Sequence, residues 1–463
     1  MAGAYQPSHD VVGVILAAGR GSRMHSNKPK PLHLAAGKEL IRYPVDLMAE
    51  WGMQRIVVVT SPDHAEAIGD LLGDNVEIAM QPEPDGTAGA LATALDQLGE
   101  IPQTVVVMAG DTPLVRATSL RTLIDEHTAV AGRRMTILSA PDVFADDLGR
   151  IERASVTSDG RVGAVSAIVE APDRTRPVHG PAEVNTGVYC FAGDWVAHRI
   201  KQVTPSPSGE LYLTALVAMA SDAGEDVAAL PIAYADEALG VNDRIQLATV
   251  EAVLRDHLNR RWMENGVTII DPATTYIDAE VTIGNDTVLL PNTMLRGQTA
   301  IGQECEIGPN SVVQDTHLGD RCSIVASFLE GAKIENDVTI GPFSHLRPDS
   351  VIETGVHLGN YVEVKASRVG SETAAGHFCY LGDANVGRGV NIGAGTVTCN
   401  YDGTDKHTTN IGAGAFIGSD TMLIAPVSVG EDAATGAGAV VTKDIPRGRL
   451  AVGVPAKLVP HRD

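Results

Sequence analysis

The chain is short of aromatic residues, of cysteine and of basic charge, and each shortage removes a class of reading. Aromatics make up 4% of its 463 residues, which suits a narrow interior filled by Val, Ile and Ala better than a ring-filled core. The five cysteines, Cys190, Cys305, Cys322, Cys379 and Cys399, form no C-x-x-C and no metal-ligand spacing. A sparse, odd set argues against a disulfide scaffold and for a reducing compartment. Lysine and arginine number 35 against 58 acidic residues, a formal net charge of −23. That argues against nucleic acid or an anionic membrane surface as a main partner; local cations can still hold a phosphorylated substrate. The first apolar run, Val11 to Ala18, is too short to span a membrane, and MAGAYQPSHD brings no cationic stretch ahead of it. The expectation is a soluble, cytoplasmic protein of two or three domains.

What is abundant is a period of six. Between Val267 and Val441 an aliphatic residue returns about every sixth position: Ile277, Ile283, Leu289, Leu295, Ile301, Ile307 and Val313 without a slip, then Leu318 and Ile324, then Ile334 to Val364. Pairs such as Ile283-Gly284, Leu358-Gly359 and Ile417-Gly418 repeat one motif. Six is neither the helical period nor strand alternation; it predicts a parallel β-helix whose rungs must stack because none buries its apolar face alone. The Gly is expected to allow a corner conformation that a side chain would obstruct. The period does not give the handedness.

The first half reads differently. Val11 to Leu16 is a wholly apolar run, as a buried parallel strand should be. A loop with Gly19 and Gly21, flanked by Arg20 and Arg23, follows, then Lys28, Lys30 and Lys38. Such a loop lets backbone N–H groups approach phosphate oxygens. By itself it has a lesser alternative as a solvated basic loop, being neither of the common Gly-rich phosphate motifs. Strands at Arg55–Thr60 and Thr104–Ala109 alternate with helices at Ala65–Leu72 and Ala88–Leu98, predicting a doubly wound parallel α/β sheet. Asp111, beyond the end of Thr104–Ala109, stands where such sheets bind ligands. It is placed to hold Mg²⁺, or alternatively to start the turn into Thr112-Pro113.

LAAGRGSRM, Lys30-Pro31-Leu32-His33, Gln81, Gly86-Thr87-Ala88 and GDTPL resemble the sugar-1-phosphate nucleotidylyltransferases. With LGRI, IVE, EVNTG and GVN the match narrows to the pyrophosphorylase half of the bacterial bifunctional UDP-N-acetylglucosamine pyrophosphorylase/glucosamine-1-phosphate N-acetyltransferases. The resemblance implies a Rossmann-like domain with a mixed, mostly parallel sheet. It implies that Leu16, Ala17, Ala18 and Gly19 contact UTP, that Arg23 and Lys30 face its phosphates, and that Gln81, Gly86 and Thr87 read the uracil. Ala109 and Gly110 belong to the same nucleotide and sugar site. Gly149, Glu170 and Asn185 would hold N-acetylglucosamine, and Asp111 with Asn242 would hold Mg²⁺. Gly89, Ala171-Pro172 and Ala215 depart from the family pattern at the sugar site.

In the second half, the polar residues that interrupt the coil draw attention: Arg347, Lys365, His377, Tyr380 and the stretch NIGAGTVTCNYDGTDKH. The phase fails between Ile392 and Ile411, which reads as a loop expelled at Asn400 to Thr409. A lone His in a solenoid is more often structural, but this group matches the acetyltransferase half of the same family. The resemblance implies a left-handed coil with His377 as general base. Arg347, Lys365, Tyr380 and Asn391 would bind glucosamine-1-phosphate. Ala394, Asn400, Tyr401, Ser419 and Ala437 would lie along acetyl-CoA, with Asn391, Asn400 and Tyr401 near the sugar, and Lys406 would reach an adjacent subunit. Cys379 is expected to be packing. The family's cation near the C-terminus falls on Val454, with Lys457 as a substitute.

Between the halves, Leu247, Val250, Leu254 and Leu258 form a helical stripe across Asp243–Met263, stopped at Gly266. It reads as a connecting arm or as a last helix of the first domain. The domains are drawn at 1–244, 245–265 (helical linker) and 266–463. The leading reading is a bifunctional, homotrimeric enzyme making UDP-N-acetylglucosamine from acetyl-CoA, UTP and sugar phosphates. A single-activity or differently specific nucleotidylyltransferase, and a coil serving only as a trimerisation scaffold, stand as alternatives.

Overall fold

A computed structural model describes residues 10–19, 21–143, 147–154, 163–174 and 180–459. Arg20 and the segment before Asp10 lie outside the described residues. The chain divides into two compact units between Leu254 and Arg255, within a single helix, Arg244–Glu264. That helix starts where Asp243 Oδ1 accepts from the backbone N–H groups of Ile245 and Gln246, at 2.9 and 2.8 Å.

In the first unit the order across the central sheet is Asp226–Pro231, Arg133–Val143, Ala182–Ala192, Thr104–Ala109, Val11–Leu16, Arg55–Thr60 and Glu77–Met80. Val11–Leu16 lies parallel to both its neighbours. Ala182–Ala192 runs antiparallel between two strands, so the sheet is mixed rather than wholly parallel. The apolar runs seen in the sequence are buried because helices cover both faces: Val14, Val105 and Val107 face one core, and Ile15, Val106 and Met108 the other. The carboxyl ends of Val11–Leu16 and Thr104–Ala109 come out side by side, with Leu16 opposite Ala109.

The second unit is a coil of three parallel sheets. Each strand pairs with one a full turn away, for example Val288 with Glu306 and Leu289 with Ile307, three hexads apart. Every aliphatic residue of the sixfold pattern named above is buried. The slip after Val313 is a shortened corner, since Ala300 pairs with His317. A second buried column, unseen in the sequence, consists of Ser and Thr that bond backbone carbonyls: Thr293 Oγ1 donates to Leu290 O at 2.7 Å and to Ile307 O at 3.2 Å.

The expected role of the hexad Gly holds at Gly308 (φ 111°) and Gly341 (φ 108°) but needs correcting at Gly284, Gly359, Gly393, Gly418 and Gly430. A Cβ on Gly284 or Gly359 would collide with the backbone of the next coil, and neither has positive φ. These glycines permit close stacking of coils. The left-handed corner conformation falls two residues later, on Asp286 (φ 61°) and Tyr361 (φ 58°). Within this unit, Asn259 and Trp262 of the helix cover the start of the coil. Asn259 Nδ2 donates to the carbonyls of Pro272 and Thr275 at 3.0 and 3.2 Å, and Trp262 packs on the coil core. At the far end the strand Lys457–Val459 turns back antiparallel on Leu450–Val452. Both ends of a solenoid need such covers.

Candidate functional site

In the first unit a cavity of about 680 Å³ opens at the carboxyl ends of the central strands. Leu16, Ala17, Ala18, Gly19, Arg23, Lys30, Gln81, Gly86, Thr87, Ala109, Gly110, Asp111 and Asn242 all line it. Lys30 forms an ion pair with Asp111, and its Nζ donates to Asn242 Oδ1 at 3.3 Å. A cation and two oxygen acceptors from three distant segments thus meet at one point. Lys28 is exposed, and Lys38 turns instead to Asp46 and the Tyr43 ring. Gly86 leads into the helix Thr87–Leu98, and Thr87 Oγ1 accepts from Leu213 N–H at 2.9 Å.

Gly149, Glu170 and Asn185 lie beside this cavity and are brought together. Asn185 N–H donates to Gly149 O at 2.8 Å. A Cβ on Gly149 would stand 3.1 Å from Glu170 Oε2. Asn185 Nδ2 bonds the Tyr189 hydroxyl at 2.6 Å, and Tyr189 lines the cavity. Glu170 accepts from Thr214 Oγ1 at 2.8 Å; burial pushes its pKa up. Burial likewise raises the Tyr189 phenol. Tyr189 and Glu210 are cavity residues that sequence reasoning missed, although Tyr189 ends the EVNTGVY stretch two positions past its Gly.

The coil arranges its residues in columns. Counting three residues on from the paired strand positions Ala374, Asn391, Phe416 and Ala434 reaches His377, Ala394, Ser419 and Ala437. These occupy one corner of four successive coils. His377, Ser419 and Ala437 are exposed, as is Asn391. A second column runs along the adjoining face. Glu363 pairs with Tyr380 and Lys365 with Gly382, while Arg347 N–H bonds Val364 O at 2.8 Å, one coil before. The Tyr380 ring folds over Gly382, where a Cβ would overlap its hydroxyl. Arg347 pairs with Glu363 at 3.1 Å.

The expelled loop lies between Val397–Cys399 and Thr409–Ile411, so Thr409 itself belongs to the returning strand. Tyr401 bridges to Lys406 across this loop, and Tyr401 OH donates to Gly403 O at 2.6 Å. Lys406 stands within hydrogen-bonding reach of Lys365 of its own chain, and this contact first, then the like charge, lowers its pKa. Asn400 Nδ2 bonds the Asp383 carboxylate and reaches the Tyr380 hydroxyl at 3.5 Å. Asp383, beside Gly382, is a further member of this cluster that the sequence did not single out. Burial pushes the Cys379 thiol up to about 12, in keeping with packing rather than reactivity. Val454 is exposed; Lys457 pairs with Val452, whose side chain lies against Gly436, next to Ala437.

Among the described residues, no three His, Cys, Asp or Glu side chains cluster as a metal site, and no helix is long and apolar enough to cross a membrane.

The nucleotidyl transferase family model matches residues 12–237. The bacterial transferase hexapeptide model matches 280–315 and 331–366, and the hexapeptide repeat of succinyl-transferase matches 408–443, so the coil is the left-handed hexapeptide β-helix. Curated relatives named bifunctional protein GlmU align over nearly the whole chain. The one from Geobacillus sp. is 42% identical over 440 residues, covering 95% of this chain and 94% of its own. That from Geobacillus thermodenitrificans is 43% identical over 444 residues, with the same coverage. That from Exiguobacterium sibiricum is 42% identical over 440 residues, covering 95% and 96%. With a nucleotide-type cavity in one half and hexapeptide columns in the other, the chain belongs to the family of bifunctional GlmU proteins.

Proposed function

We propose that the cavity of the first unit carries uridylyl transfer and the columns of the coil carry acetyl transfer. The chain is a bifunctional enzyme of UDP-N-acetylglucosamine synthesis. Its coil half acetylates glucosamine-1-phosphate from acetyl-CoA, and its first half joins N-acetylglucosamine-1-phosphate to UTP with release of pyrophosphate. The observation that carries the residue assignment is the meeting of Lys30, Asp111 and Asn242 at the mouth of a cavity lined by Leu16 to Gly19.

In uridylyl transfer two anions must approach in line, so the task is charge neutralisation and positioning. Arg23 and Lys30 face the phosphates; Lys30 can exchange the Asp111 carboxylate for a phosphate oxygen. Gln81, Gly86 and Thr87 hold the base, and Gly149, Glu170 and Asn185 the acetylated sugar. Asp111 and Asn242 supply a carboxylate and an amide oxygen, a hard donor pair that fits Mg²⁺ with phosphate and water completing its shell. When bound, that ion neutralises charge on the phosphate oxygens.

In acetyl transfer, Arg347, Lys365 and Tyr380 hold the sugar phosphate, Arg347 with a geometry suited to two parallel hydrogen bonds. His377 takes the proton from the attacking amine. The Ala394 N–H faces the thioester oxygen, with Ser419 and Ala437 further along the same corner beside the CoA chain. Lys457 takes the CoA phosphates. His377, Asn391, Tyr401, Ser419 and Ala437 are exposed and Arg347, Lys365 and Tyr380 half-buried along one chain, which favours a site completed by adjacent subunits; the reading is a cytoplasmic homotrimer with Lys406 at the junction. The exposed aromatics Phe343 and Tyr361, stacked with centroids 5.3 Å apart, offer an apolar face for that contact.

The test supplies glucosamine-1-phosphate, acetyl-CoA, UTP and Mg²⁺, and follows free thiol and pyrophosphate separately. Both are expected, with pyrophosphate depending on prior thiol release. Either product alone would reduce the chain to one activity.

A further inference from the structure

Asp85 is not part of the cavity wall, yet it controls what the wall offers to a ligand. Gln81 is buried and lines the cavity. Its Nε2 donates to Asp85 Oδ1 at 2.5 Å and to Gly86 O at 3.2 Å. A carboxylate and a carbonyl are both acceptors only, so the amide must turn its NH₂ group to them. The backbone N–H of Gln81 is engaged by Thr60 O at 2.9 Å. What Gln81 retains for a ligand is its acceptor, Oε1. Gly89 makes this possible, because a Cβ there would overlap the Asp85 carboxylate. The Asp85 backbone is itself held, its N–H donating to Glu83 O and its carbonyl accepting from Leu211 N–H, both at 2.8 Å.

We propose that Asp85, in the space left by Gly89, is a positioning residue that locks Gln81 with its oxygen toward the cavity and thereby makes the base site select a pyrimidine carrying N–H at ring position 3 over one with a bare nitrogen there. The proposal rests on the reading of this cavity as the uridine-nucleotide site. Uracil presents N3–H to the fixed acceptor. Cytosine presents a lone pair at N3, which leaves two acceptors facing each other in a confined site. A site built around one hydrogen-bond polarity rejects a mismatched ligand strongly, because its polar groups are left unpaired.

The experiment measures kcat and KM for UTP and for CTP, at saturating N-acetylglucosamine-1-phosphate, in Asp85→Leu, Asp85→Asn, Gly89→Ala and Gln81→Ala. In Asp85→Leu the KM for UTP is expected to rise about five- to tenfold with kcat little changed, as for the loss of one oriented hydrogen bond. The UTP-over-CTP preference in kcat/KM should fall about tenfold or more, since a freed amide can turn its NH₂ to cytosine. Asp85→Asn keeps an acceptor and should retain most of the preference. Gly89→Ala displaces the carboxylate and should copy Asp85→Leu. In a Gln81→Ala background, Asp85→Leu should add nothing. Retained kcat with UTP, together with a thermal unfolding transition of the sheet unit like that of wild type, reports that each variant is folded where the substitution lies. If Gln81→Ala loses the preference while Asp85→Leu keeps it, the positioning role is overturned and the site reading stands. If Gln81→Ala keeps the full preference, the base-site reading beneath the proposal is overturned as well.

Discussion

The two units hold their proposed substrates by opposite geometries. In the sheet unit, residues far apart in sequence converge: Lys30 meets Asp111 across 81 residues and Asn242 across 212. In the coil, the proposed residues recur at nearly one-turn intervals and line up along the axis, as His377, Ala394, Ser419 and Ala437 do. Convergence yields a walled, half-open cavity within one chain. Repetition yields an exposed column, because each coil can offer only its outward positions once its aliphatic residues have gone inward. A sheet can therefore wall most of its own site, whereas a coil needs a neighbouring surface to do so. That difference is the physical ground for expecting a lone coil unit to be a poor catalyst.

The sharpest way to break the comparison is to disable each site alone. Lys30→Ala and Asp111→Ala should lower uridylyl transfer by about a thousandfold or more, the scale of losing a principal charge-stabilising group, and leave thiol release from acetyl-CoA intact. His377→Ala should do the reverse, lowering acetyl transfer by about 10²- to 10⁴-fold as for loss of a general base, with pyrophosphate still formed from supplied N-acetylglucosamine-1-phosphate. Full uridylyl activity in Lys30→Ala would sink the convergence argument. Near-normal acetylation in His377→Ala would remove the base from the column.

The same contrast explains what could be read from sequence. The coil was legible because its period is local: Ile283, Leu289 and Leu295 need no partner beyond their own turn to reveal their direction, and all are buried. The corner role expected of the hexad glycines holds at Gly308 and Gly341, but at most of the others the reason for Gly lies in the next coil, some eighteen residues on, whose backbone approaches Gly284. In the sheet unit, individual strands and the loop after Leu16 were visible, but their order was not, and the antiparallel insertion of Ala182–Ala192 left no local trace. Cavity-lining residues inside recognisable motifs, such as Asp111 and Asn242, can be singled out from sequence. Tyr189, Glu210, Asp85 and Asp383 are not, because their importance arises only from what the fold sets beside them.

A second test concerns stability. Leu289, in the coil core, and Leu123, on the helix Ala117–Ala129 of the sheet unit, are both fully buried. Truncating either to Ala removes the same side chain and should cost about 2–5 kcal/mol. Because the chain divides into two compact units, the consequences should separate. After graded heating, Leu289→Ala should lose acetyl transfer at a lower temperature than wild type while keeping uridylyl transfer, and Leu123→Ala the opposite. Parallel loss of both activities in either variant would mean that the units melt as one.

The mildest contrast lies in acid. In the sheet unit His127 is buried, bonded to Thr136 Oγ1 at 3.0 Å, and its pKa is lowered to about 4, mainly by burial and then by the charge of Arg133, with Asp226 opposing. The unfolded chain binds this proton near the usual His value, so the folded state is favoured above that value and loses ground as pH falls toward 4. The loss should reach about 2 kcal/mol by pH 5. Among the described residues no histidine of the coil is buried, so the described coil has no such group. Between pH 7 and 5 the sheet unit should therefore weaken to denaturant more than the coil does, and His127→Asn, which cannot titrate, should flatten the slope. An unchanged slope in His127→Asn would shift the acid sensitivity to other groups and erase this difference between the two halves.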